Sequence, residues 1–134
     1  MRPVLLAILL TVASLSHTAE LNLGLYTTHV NVDFLNEDNR LIGLSLGRYE
    51  IGTYFNSYKV RSYYGARRFE FNDSIGVMVG GVTGYSWDCV LVTGVCSETD
   101  AIPMFATYWR ITDHLTRIEM GPAIMLTVSV PLGE

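Results

Sequence analysis

Two short runs of the chain carry side chains suited to acid-base chemistry: His29, in Tyr26-Thr27-Thr28-His29, and the pair Asn56-Ser57, in Tyr54-Phe55-Asn56-Ser57-Tyr58. An imidazole titrates near neutral pH and can act as a general base, and a hydroxyl or amide beside it can hold a substrate oxygen. Spacing alone does not separate such a site from a hydrogen-bonded histidine at the rim of a fold. The other histidines offer less, since His17 lies near the start of the chain and His114 in a short turn. Asp33, Glu37 and Asp38 read as a solvated acidic loop. Within it, the stretch Asn36 to Asn39 beside Arg40 has the groups to bind a cation or position a polar headgroup.

The elements that must position these residues belong to one exported domain. Met1, Arg2 and Pro3 precede an apolar run from Val4 to Leu10, then small residues through Ala13, Ser14 and Ser16, then Ala19. One positive charge, a short apolar core and small residues after it form a secretory leader over 1–19, leaving 20–134 as a single domain. Beyond the leader no apolar stretch reaches the roughly 18 residues that a spanning helix needs. The net charge is −4 and the basic residues are scattered singly apart from Arg67 and Arg68, so the electrostatic footprint of a nucleic-acid binder is missing. Cys89 and Cys96 are the only cysteines, and in an exported chain they read as a loop disulfide. A zinc site would need two further ligands, and no His lies near them. No metal and no cofactor are expected.

β-branched and aromatic residues alternate with Gly, Ser and Thr in eight segments: 21–30, 40–48, 50–57, 61–70, 74–87, 102–111, 114–120 and 123–131. In the segment from Ser74 to Trp87, Ile75, Val77, Val79, Thr83 and Tyr85 share one face, while Gly76, Met78, Gly80, Gly84 and Ser86 share the other. A soluble sandwich would carry charge on its second face. Small residues there predict instead an all-β, eight-stranded up-and-down transmembrane barrel with an apolar exterior and a roomy lumen. Long loops at Asn31 to Asn39 and Asp88 to Ala101 then fall at one end, together with His29, Asn56 and Ser57. Strict alternation gives His29 the parity of Leu21, Leu23 and Leu25, so the first strand must bulge for His29 to face inward. Tyr26, Tyr54, Tyr58, Trp87, Tyr108 and Trp109 suit aromatic girdles at the membrane interfaces. Arg67, Arg110 and Glu119 need lumen or interface positions. The last strands are short, and the chain lacks the terminal aromatic common in outer-membrane barrels.

From Thr28 to Pro131 the order of these features resembles the PagP-like lipid A palmitoyltransferases, a family of outer-membrane barrels. The likeness rests on His29 before a polar loop containing Asn36-Glu37, on Leu41 to Arg48, on Ile51 to Ser57, on the Gly- and Val-rich run Gly76 to Thr83, on Ile102-Pro103 and on Gly121-Pro122. It implies a phospholipid donor that reaches the lumen laterally at proline-weakened gaps, here near Pro103 and Pro122, and a lipid A acceptor. It also implies a catalytic set of His29 with an adjacent pair at 56 and 57. Ser57 matches, whereas Asn56 stands where the family has Asp. An amide can orient an imidazole by hydrogen bonding but supplies no negative charge to raise its basicity. The family's leading amphipathic helix is absent.

The favoured expectation is a monomeric outer-membrane acyltransferase of a Gram-negative cell, with His29 as general base and Ser57 and Asn56 positioning the reacting groups. A non-catalytic barrel whose disulfide-stiffened loop binds a surface partner is the alternative. A third reading, an exported soluble barrel carrying a small apolar ligand, requires wetter outward faces than these.

Overall fold

A computed structural model of the chain describes residues 19–29, 38–121 and 123–133. Most of the expected leader, Asp33, Asn36, Glu37 and Pro122 lie outside the described residues. The expected strands close into one antiparallel barrel in chain order. They are β1 (Ala19–His29), β2 (Ile42–Leu46), β3 (Tyr49–Phe55), β4 (Arg61–Glu70), β5 (Ile75–Thr83), β6 (Ala101–Arg110), β7 (Leu115–Met120) and β8 (Ala123–Pro131). β8 pairs back with β1 over nine residue pairs, from Glu20 opposite Pro131 to His29 opposite Ala123, so no strand is left as an edge. β1 opens at Ala19, the last residue of the expected leader. The fifth strand stops at Thr83 rather than 87. Gly84 takes a left-handed φ of +83° that ends the extended run, and Cys89–Thr93 forms a π-helical turn in the loop beyond.

Alternation decides which side chains face in. Ile42, Ile51, Val79 and Phe105 point outward, while Tyr54, Tyr64, Met78, Met104, Tyr108 and Met125 form the core inside. Two expectations change. Tyr54 and Tyr108 are lumen residues and not girdle residues. Among the described residues the exposed aromatics include Tyr26, Tyr63 and Trp87 toward the long-loop end and Tyr49, Phe69, Phe71 and Trp109 toward the short-turn end, with Phe105 between them. Nor do the inward glycines leave empty space. Gly52 lies opposite Tyr64, and a Cβ on it would meet that ring at 2.6 Å; Gly76 lies opposite Tyr108 and would meet its hydroxyl at 2.4 Å. These glycines make room for tyrosine rings from the neighbouring strand.

The charges settle on both surfaces. Arg67 points out, 5.0 Å over the Phe69 ring and 5.8 Å over Tyr49. Arg110 pairs with Glu70 at 2.9 Å, and Glu119 pairs with Arg117. Inside, Glu50 is 1% exposed and forms an ion pair with Arg68. Its carboxylate also accepts from Tyr64 Oη at 2.6 Å and Ser45 Oγ at 3.2 Å. Ser45 in turn accepts from Asn22 at 2.6 Å, and Asn22 Oδ1 accepts from Ser129 Oγ at 2.6 Å. The network ties β8, β1, β2, β3 and β4 together across the lumen.

Candidate active site

β1 carries the bulge that His29 requires. Gly24 pairs with Thr127 and Tyr26 with Leu126, leaving Leu25 as the extra residue. Leu25 and Tyr26 both lie exposed, parity resets, and Thr27 and His29 turn inward and are buried. His29 Nε2 then lies 2.6 Å from Ser57 Oγ, a hydrogen bond between side chains 28 residues apart. A hydroxyl held on an imidazole at this distance is the geometry in which the ring can take a proton.

Asn56 is buried beside the pair, and its amide is built into the turn that follows β3. Oδ1 accepts from Tyr58 N at 2.9 Å and Val60 N at 3.0 Å. Nδ2 donates to Gly84 O at 2.8 Å and Ser62 Oγ at 3.1 Å. A carboxylate could reproduce the first two bonds and accept from the Ser62 hydroxyl, but it has no proton for the Gly84 carbonyl. The asparagine thus fixes the backbone that presents Ser57.

Ser57 opens onto a small, mainly apolar cavity in the long-loop half of the lumen. Leu41, Met78, Met104, Met120 and Met125 supply its walls, Tyr64 and Glu50 its floor, and Asn39, Ser57 and Tyr85 its polar groups. Tyr85 Oη accepts from Tyr54 at 3.2 Å, which leaves the Tyr85 proton for another acceptor. Burial pushes the Tyr85 phenol up, so it stays a donor across the physiological range.

The wall beside the cavity is incomplete. β7 pairs with Thr107–Arg110 of β6 only, so among the described residues the stretch 101–106 bonds to β5 alone. Pro103, which has no N–H to offer a ladder, lies in that stretch. Likewise β2 pairs with β1 only from Ala19 to Leu23, below Tyr26 to His29. The Cys89–Cys96 disulfide forms in the loop after β5 and lines no part of the cavity. Among the described residues no three His, Cys, Asp or Glu gather as metal ligands do.

His29 and Ser57 were accessible from residue type and the strand order. Tyr85 and the Glu50–Arg68 pair were missed. Parity could have found the pair, because Glu50 alternates with Gly52 and Tyr54, and Arg68 with Tyr64 and Ala66. No family model, curated protein or solved structure matches the chain.

Proposed function

We propose that this chain is an outer-membrane acyltransferase of a Gram-negative cell, moving a palmitoyl-like chain from a glycerophospholipid to a hydroxyl of lipid A or a similar lipid. The observation that carries the reading is the His29–Ser57 hydrogen bond at the polar end of an apolar cavity. An exterior of Ile51, Val79 and Phe105, with exposed aromatics toward both ends, suits a bilayer and would be costly in water. The incomplete β6–β7 seam gives an acyl chain lateral access to the cavity, as the family resemblance implies for Pro103.

In this reading the donor's tail enters the cavity by displacing its methionine walls, and its ester lies beside Ser57. The acceptor hydroxyl passes its proton to Ser57 Oγ as Ser57 passes its own to His29 Nε2, and the acceptor oxygen attacks the ester carbonyl. Tyr85 donates to the oxygen that gains charge. The tetrahedral adduct collapses by expelling the lysophospholipid oxygen, which takes the proton back from His29. Positioned proton transfer of this kind is worth about 10²–10⁴ in rate. Mass spectrometry of lipid A from cells expressing the wild type should show added acyl mass, which His29→Ala removes. Unchanged lipid A in the wild type sinks the proposal.

One observation favours the second reading. The disulfide loop presents Leu91, Val92 and Val95 at 75%, 80% and 79% exposure, with no charge between the cysteines. An exposed apolar tip of this kind marks a contact surface. Excising residues 89–96 should abolish binding to a surface partner while leaving lipids untouched.

A further inference from the structure

Asn39 sits just before β2, 5% exposed, and its main-chain oxygen accepts from Phe55 N at 2.8 Å. Among the described residues nothing hydrogen-bonds its side-chain Oδ1, although that atom is buried. Buried acceptors in native folds are nearly always satisfied, so an open one lining a cavity points to a ligand. The next residue, Arg40, holds a left-handed φ of +43° and is bonded to Asp38 at 2.9 Å. A non-glycine residue in that region is costly and recurs at ligand sites. Asn39 also borders two spaces at once: the lumen cavity that contains Ser57, and an outer groove between Gly24–Thr27 of β1 and Asp38–Arg40.

We infer that Asn39 binds the acyl acceptor through a second hydroxyl next to the one that reacts; this rests on the acyl-transfer reading above. An open Oδ1 needs a donor. The ester and phosphate groups of a phospholipid offer only acceptors, its tails offer nothing, and a choline headgroup, unlike ethanolamine or glycerol, carries no N–H or O–H, so a choline lipid as donor isolates the acceptor's contribution. The acceptor's reacting hydroxyl commits its single proton to Ser57, so the group at Asn39 is another O–H on the same molecule. The site therefore selects lipids with paired hydroxyls over simple alcohols.

The test uses the full barrel in detergent micelles with dipalmitoyl phosphatidylcholine as donor and two acceptors, a 1-O-alkylglycerol with two hydroxyls and a long-chain alcohol with one. The wild type should favour the alkylglycerol by about tenfold in kcat/KM, the effect of one buried hydrogen bond. Asn39→Asp keeps the acceptor oxygens and should keep the preference. Asn39→Leu should erase it, chiefly through KM for the alkylglycerol, while hydrolysis of the donor by water continues. That residual hydrolysis reports a folded, competent site. An unaltered preference in Asn39→Leu, or its loss in Asn39→Asp, overturns the inference alone. A wild type that transfers the acyl chain to neither alcohol nor water overturns the acyl-transfer reading and this inference with it.

Discussion

Asn56 gives two hydrogen bonds and takes two, and all four hold the turn from β3 to β4 or the end of β5. Asn56→Asp would place a carboxylate oxygen against the Gly84 carbonyl. We expect a loss of about 1–3 kcal/mol, the cost of an unsatisfied buried group, measured by urea unfolding in micelles. Acyl transfer should not rise; a faster Asn56→Asp enzyme would show that a charge on the imidazole matters more than the turn. At this scale the meeting of His29 and Ser57 was legible, because the strand order brings the ends of β1 and β3 to one rim. Of the stretch Asn36 to Asn39, the described part holds Asn39 with its buried, open Oδ1. Sequence could not single it out, since an unsatisfied amide is a property of its surroundings.

β1 shows how one residue redirects a site. Leu25 is the extra residue at the bulge, so its deletion leaves every partner on β8 in place and His29 still inward. Deleting Thr28 instead would bring His29 opposite Ile124, on the outward parity. Both variants should fold as barrels. Acyl transfer should survive the first deletion and fall to the His29→Ala level in the second, and equal activities would refute the placement of His29. The need for a bulge was readable from the parity of Leu21, Leu23 and Leu25, but its position was not, because it depends on pairing with β8. The end of β5 was misjudged for a related reason. The alternation runs on to Tyr85, and only the left-handed Gly84 interrupts it.

For the molecule as a whole, closure and strand number were legible because period-two alternation recurs in every segment. The content of the lumen was not. Small residues suggested open space, whereas Gly52 and Gly76 are filled by rings from the facing strands, a cross-strand match that no single segment displays. The Glu50–Arg68 pair is the other whole-molecule feature. Arg68→Met leaves a buried carboxylate without its cation and should cost about 3–5 kcal/mol of stability, part of which Glu50→Leu in the same chain restores. Urea titration of the single and double variants checks this, and a double variant no more stable than Arg68→Met would count against it. Glu50 belongs to the apolar cavity above, and Arg68 borders the polar vestibule at the short-turn end, so the pair stands as a partition between them. The consequence is electrical: reconstituted in a planar bilayer the barrel should pass no steady ionic current, and a steady conductance would show that the partition is open.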